Sequence, residues 1–268
     1  MVLLIDTSQE TGIAALAEGG RVLFSEENKI QKEHATWLHP AVNRLVAGAK
    51  ISLRDLEAIA VIAGPGSYTG LRVGMAAAKG FCYGLKIPLI TLNTLRVMAE
   101  SMLSFAAEKD ALICPMIDAR REEVFTALYQ LSTVNSQLST ENPPSPAKAG
   151  SGGQSVQQST VNSQQSTGNA QLSTVNRQLS TITELLPPQA MILDKKSFES
   201  ELTSQPIVFF GSGAAKWEKI SSSPAAIFQS QPIIIQAFAK LAQQEFESGH
   251  WADPVYSEPV YLKEFFTY

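Results

Sequence analysis

The sequence predicts an α/β protein built as two lobes. Three observations point there: an opening series of short apolar segments separated by turn signals, a buried strand leading through a glycine-rich loop into a small-residue helix, and a second set of strand-like segments beyond residue 95. A chain of 268 residues is long enough for two small cores.

The opening reads as a meander of three strands, Val2 to Asp6, Gly12 to Ala17 and Arg21 to Glu26, with Gly19-Gly20 supplying the hairpin turn. A helix follows around Trp37 to Ala49, in which Pro40 fits only if it lies in the first turn. Ser52-Leu53-Arg54-Asp55 has the hydroxyl and carboxylate of a capping box. Next come a fully apolar strand over 58–63, the glycine loop, a helix over 70–84 and a strand from Pro88 to Leu92. The order β-β-β-α-β-α is that of the ribonuclease-H-like lobe of the actin and sugar-kinase superfamily. This sets a first lobe at 1–94 and a second at 95–268. In the second, Ile113 to Asp118 and Val124 to Gln130 form a hairpin across the charged turn Arg120-Arg121-Glu122-Glu123. Near the end, Ile235, Phe238, Leu241, Ala242 and Phe246 mark one face of an amphipathic helix.

Residues 131–184 do not share this pattern. A seven-residue unit beginning Ser132-Thr133-Val134-Asn135 recurs from Ser159, Ser166, Ser173 and Ser180, without an aromatic residue. The heptad rhythm of Val175, Leu179, Ile182 and Leu186 suggests a coiled coil. Against it, Gln165 and Gly168 interrupt the apolar places, and Ser, Thr and Asn fill most of the others. A disordered low-complexity insertion is the favoured expectation.

Composition narrows the function. A net charge of −4 and a pI near 5.5 argue against a surface that grips nucleic acid by itself. No apolar run reaches the roughly 18 residues of a membrane span. The N-terminus has no basic region and meets Asp6 early, so no secretory signal is expected. Cys82 and Cys114 stand apart and read as buried free thiols of a reducing compartment, with the cytoplasm as the expected location.

The glycine loop, Gly64-Pro65-Gly66-Ser67-Tyr68-Thr69-Gly70-Leu71-Arg72-Val73-Gly74, fits neither familiar phosphate fingerprint. No Lys-Ser or Lys-Thr follows its glycines, and their spacing is one residue too long for the dinucleotide motif. It closely resembles the signature of the TsaB family, the non-catalytic partner in bacterial synthesis of threonylcarbamoyladenosine in tRNA. The resemblance extends to Leu3-Leu4-Ile5-Asp6-Thr7-Ser8, His34 to Pro40, Pro88 to Asn93 and Ile117-Asp118-Ala119-Arg120, and returns at Phe209-Phe210-Gly211-Ser212-Gly213. It implies a subunit that binds and activates a TsaD-type transferase as a heterodimer, with a TsaE-type ATPase as further partner. It also implies contact with tRNA only through the complex, and a homodimer when alone.

Two departures from the catalytic partner family accompany the resemblance. Thr94 and Met98 stand where that family's metal-binding histidines would be, and neither suits a hard divalent cation or zinc. The turn at Asp118 to Glu122 lacks the glycines that let amides approach phosphate, and it gains acids. No catalytic residue, resident metal or cofactor is therefore expected. Asp6, Thr7, Ser8, Gly211 and Gly213 mark a vestigial nucleotide site, with a plain strand-end turn as the competing reading of the first three. His34 and His39, five residues apart on a helix, point away from each other and read as partly exposed surface residues.

The helix pair carries the partner expectation. Gly70, Gly74, Ala77, Gly80 and Gly84 make a thin side for packing on the sheet. Leu71, Met75, Ala78 and Cys82, flanked by Arg72 and Lys79, form an apolar stripe. Trp37, Leu38, Ala41, Val42 and Leu45 offer a second one. Spacing alone leaves packing within the lobe and half of a four-helix interface nearly even, and the resemblance implies the interface. The alternatives are a stand-alone ATP-dependent kinase or carbamoyl transferase of the same superfamily, and a metalloprotease, for which no His-Glu-x-x-His exists.

Overall fold

The computed structural model describes residues 1–134, 179–230 and 234–263. The body of the expected insertion, 135–178, lies outside them. Residues 1–132 and 182–268 form one unit, and of 133–181 only the ends of two strands are described.

The first five-stranded sheet contains β1 (Val2–Asp6), β2 (Gly12–Glu18), β3 (Arg21–Asn28), β4 (Ala58–Gly64) and β5 (Leu89–Asn93), in the order β3-β2-β1-β4-β5. The meander is antiparallel, and β4 and β5 run parallel to β1. Gly19 and Gly20 both take positive φ, 55° and 74°, which accounts for their place in the β2–β3 turn. Helices α1 (His34–Ala49) and α2 (Tyr68–Leu85) cover one face of this sheet. They pack on the inward alternation Leu3, Ile5, Ala14, Leu16, Ile59 and Val61.

α1 begins three residues earlier than Trp37, so Pro40 is its seventh residue rather than a first-turn one. Both Pro40 and Thr36, whose carbonyl loses its usual donor, are exposed, where water serves instead. Leu38, Ala41, Val42, Leu45 and Val46 anchor the inward side. The expected capping box is present: Ser52 N–H donates to Asp55 Oδ2 at 2.7 Å and Arg54 N–H to Ser52 Oγ at 3.2 Å.

The chain then forms α3 (Thr94–Ser101), α4 (Leu103–Lys109), β6 (Leu112–Asp118), β7 (Glu123–Val134), β8 (Leu179–Ile192), α5 (Glu199–Ser204), β9 (Ile207–Phe210), α6 (Ala214–Glu218), β10 (Ala226–Gln229) and α7 (Ile235–Glu247). The second sheet runs β10-β9-β6-β7-β8. Taking β6 as its first strand, it repeats the order of the first sheet, with β6–β7 antiparallel and β6–β9–β10 parallel. The α/β class and the two ribonuclease-H-like sheets are thus as expected.

β7 and β8 carry strand into both ends of the stretch read as insertion. β8 lies at the sheet edge, the place where Pro187 and Pro188 cost no ladder hydrogen bond. α3 and α7 lie against the other face of the first sheet. Val2, Leu4, Ile13, Ala15, Ala60 and Ile62 join Leu95, Met98, Ile113, Ile117, Phe238 and Leu241 in one core that spans both sheets. The outer face of the second sheet has its own core around Phe198, Phe209 and Trp217, whose rings meet edge-on.

Candidate functional site

The carboxyl end of β1 meets the N-terminus of α2, and there the chain fills the space itself. Asp6, Thr7 and Ser8 are each no more than 2% exposed. Asp6 Oδ1 accepts from Ser8 N–H at 2.8 Å and from Ser8 Oγ–H at 2.6 Å, which is the strand-end turn. Burial pushes the Asp6 carboxyl above its usual range despite these two bonds, and Asp6 Oδ2 has no hydrogen-bond partner among the described residues. Thr7 Oγ donates to the Gly70 carbonyl at 2.6 Å. A Cβ at Gly70 would lie on the Thr7 carbonyl oxygen, and one at Gly66 would stand 2.5 Å from the Ser8 carbonyl. The glycines are there so that α2 can rest on the β1–β2 turn. Ser67 caps α2 by accepting from Gly70 N–H at 3.3 Å, while Ser67 N–H donates to the Ser8 carbonyl at 2.7 Å.

Neighbouring elements close on the same loop. Thr94 Oγ donates to the Pro65 carbonyl at 2.6 Å, and Asn93 Oδ1 caps α3 through Leu95 N–H and Arg96 N–H. Gly211 has φ +98°, and a Cβ there would strike the Met116 carbonyl and the Met98 methyl. Gly213 is pressed on Val124 and Ile117. Both glycines therefore serve the tight turn from β9 into α6. The β6–β7 turn is held by Lys216 Nζ, which donates to Asp118 Oδ1 at 2.6 Å and to the Glu123 carbonyl at 3.0 Å. Burial tends to raise the Asp118 carboxyl, but Lys216 and the Arg120 N–H outweigh it and hold the group below its usual range. A cleft of about 1020 Å³ remains, lined by Asp6, Gln9, the glycine loop, Asp118, Arg120 and Ser212 among others.

A second concavity, of about 420 Å³, lies between α1 and α2. Its walls are Ala35, Leu38 and His39 on one helix and Val73, Ala76, Ala77, Gly80 and Phe81 on the other, and the His39 and Phe81 rings stand 5.5 Å apart. Here the expected interface needs correcting. Leu71, Met75, Ala78 and Cys82 are at most 3% exposed; the last three join the core between helix and sheet, and Leu71 packs beside Gly64 at the end of β4. Leu38, Ala41, Val42 and Leu45 are equally enclosed, and Trp37 is half-buried. The larger apolar side chains fill the gap between helix and sheet. Of the expected thin side, Gly70, Gly74 and Ala77 face inward, whereas Gly80 and Gly84 point outward.

The flanking cations bind the chain's own C-terminal segment. Lys79 Nζ donates to the carbonyls of Val255 and Ser257 at 3.0 and 2.9 Å, and Arg72 Nε to Tyr261 OH at 3.1 Å. His34 is 2% exposed instead of partly exposed, because its ring lies over Gly12, where a Cβ would be 3.1 Å away. Cys82 and Cys114 are free and buried, and burial raises their thiols to about 11 and about 12, so neither is a nucleophile at neutral pH. No helix among the described residues is long and apolar enough to cross a membrane.

Residues 25–249 match the family described as TsaD, tRNA N6-adenosine threonylcarbamoyltransferase. The chain belongs to this family. Within it, the chain is similar to proteins named TsaB, tRNA threonylcarbamoyladenosine biosynthesis protein. It is 40% identical to that of Bacillus subtilis (strain 168) over 130 residues, covering 48% of this chain and 55% of that one. It is 35% identical to that of Escherichia coli (strain K12) over 129 residues, covering 48% and 54%. The chain thus spans about half the length of the curated relatives it matches. A solved Pseudomonas aeruginosa protein described as similar to peptidase YeaZ shares the fold over 98% of this chain and 99% of its own, with a TM-score of 0.68 at 22% identity. The structure named YeaZ from Pseudomonas aeruginosa matches over 97% and 99%, with a TM-score of 0.65 at 21% identity. The family resemblance read from the glycine loop stands on these relatives.

Proposed function

We propose that this chain is a non-catalytic subunit that binds and activates a TsaD-type threonylcarbamoyl transferase in the cytoplasm, in formation of threonylcarbamoyladenosine in tRNA next to the anticodon. A TsaE-type ATPase joins the same assembly, and tRNA is met only through it. The observation that carries this reading is the exposed apolar groove between α1 and α2, which offers Ala35, Val73, Ala76 and Phe81 around a glycine. Small residues on its floor let a partner's helices come close. In the absence of the transferase, the same groove pairs two copies of this chain.

The rival reading, a stand-alone ATP-dependent kinase or carbamoyl transferase, needs free N–H donors at the N-terminus of α2 to grip phosphate. Two of the donors at that end, Gly70 N–H and Ser67 N–H, are taken by Ser67 Oγ and the Ser8 carbonyl, which favours the subunit reading.

Ala76 is exposed, so Ala76→Glu should leave the fold intact while placing a carboxylate at the centre of the interface. The expected loss is at least about 30-fold in affinity for the transferase, the size of a disrupted hot spot. The variant should also fail to support tRNA modification. Normal copurification and normal modification would overturn the proposal.

A further inference from the structure

The C-terminal segment after α7 runs back over the first lobe and then reaches the second. Ala252 N–H donates to the Leu89 carbonyl at 2.8 Å, adding a bridge to the edge of β5. Asp253 folds the chain into a turn, with its Oδ1 accepting from Val255 N–H at 2.7 Å and its carbonyl from Ser257 N–H at 2.9 Å. That turn presents the two carbonyls held by Lys79. Val260 N–H then donates to the Ala63 carbonyl at 2.7 Å, and the Val260 carbonyl passes so close to Gly64 that a Cβ there would lie 2.5 Å from it. The Tyr261 ring lies 5.1 Å from that of Tyr68 at a tilt of 43°, and the Arg72 guanidinium stands 4.1 Å from the Tyr68 ring centroid. Lys263 finally pairs with Glu123 at the β6–β7 turn of the second lobe.

One short segment therefore touches α2, the glycine loop and the acidic turn, and Val260, Tyr261, Leu262 and Lys263 form one wall of the cleft. We propose that Ala252–Lys263 is a strap that ties the two sides of the cleft together and limits its width, with Lys263–Glu123 as its latch at the β6–β7 turn and Lys79 and Arg72 as its anchors on α2. The latch is a partly exposed ion pair, whose loss costs little, and it serves as a point of release. Widening the cleft requires the strap to leave the glycine loop, because the Val260–Ala63 bond and the Tyr261–Tyr68 ring contact sit between the two ends. This holds for the chain alone and does not rest on the partner reading.

Amide exchange measured by mass spectrometry on the full chain tests this. Glu123→Lys should speed exchange in peptides covering 63–70 and 258–263 by about two- to fivefold, the size expected when a partly exposed ion pair is lost and a local opening becomes easier. Strands β1 and β4 outside those peptides should be unchanged. Adding Lys263→Glu should restore the original rates, because the pair is rebuilt with its charges exchanged. Unchanged exchange at 63–70 in the single variant would overturn the proposal, as would a uniform rise across the core or a double variant that stays as fast as the single one.

Discussion

Gly70 and Asp6 show how single positions serve this site. Gly70 sits where any side chain would meet the Thr7 carbonyl oxygen, and the clash is with backbone, which has little freedom to move. Gly70→Ala should therefore destabilise the protein by about 2 kcal/mol or more, a loss that urea denaturation would detect. Stability within experimental error of the parent would mean that α2 can lift from the β1–β2 turn at little cost. The glycine pattern itself was conspicuous in the sequence. Its reason was not, since Thr7 and Gly70 are 63 positions apart and meet only in the folded chain.

Asp6 gives a pH-dependent expectation. Burial raises its folded-state value above 3.8, so the folded protein holds this proton more tightly than the unfolded chain. Its contribution is most favourable below pH 3.8 and is lost as pH rises through the raised folded value. Asp6→Asn keeps an acceptor for Ser8 but cannot ionise. Its stability relative to the parent should improve between pH 4 and pH 8, read from urea midpoints at the two values. A constant difference would remove burial as the governing effect. Asp118 has the opposite sign: held low by Lys216, it stabilises above pH 3.8, and that contribution fades as pH falls through the depressed value. Lys216→Ala should shift acid unfolding to higher pH.

At the scale of elements, α2 shows what periodicity does and does not decide. The i, i+4, i+7 spacing of Leu71, Met75 and Ala78 marks one apolar side, but spacing alone does not say whether a sheet or a partner covers it. The sheet covers it here, because these side chains have the bulk to fill the space above β1 and β4. Two adjacent substitutions separate the faces. Met75→Glu buries an unpaired carboxylate beside Leu3 and Val61 and should cost more than about 3 kcal/mol, observed as loss of cooperative thermal unfolding. Ala76→Glu, one residue on, should leave the melting temperature nearly unchanged. Equal effects from the two would mean that the helix is rotated from the orientation described. β8 was concealed by its own composition: prolines and the tail of the Ser-Thr repeat resemble a loop, and only a place at the sheet edge makes them acceptable in a strand.

For the whole molecule, the strands β7 and β8 bracket residues 135–178, and Ser132 and Thr183 already lie within 3.2 Å of each other across the hairpin. Closing a loop costs only about 0.6 kcal/mol for each doubling of its length. Replacing 135–178 with a short Gly/Ser connection should thus raise stability slightly, on the order of 1 to 2 kcal/mol. The melting temperature would then move up by a few degrees. A marked fall would assign packing to that stretch.

The sequence by itself determined the α/β class, the first sheet almost strand by strand, the capping box and the family, because each rests on local chemistry: alternation of apolar residues, turn glycines, a hydroxyl three positions before a carboxylate. Tertiary structure alone decided which face of α2 is open, why the glycines are needed, that the last helix packs on the first sheet, and that Arg72 and Lys79 hold the C-terminal strap. Each of these depends on which distant segment arrives at a given surface. That is set by how side-chain volumes fill the space between layers, and residue order along the chain does not disclose it.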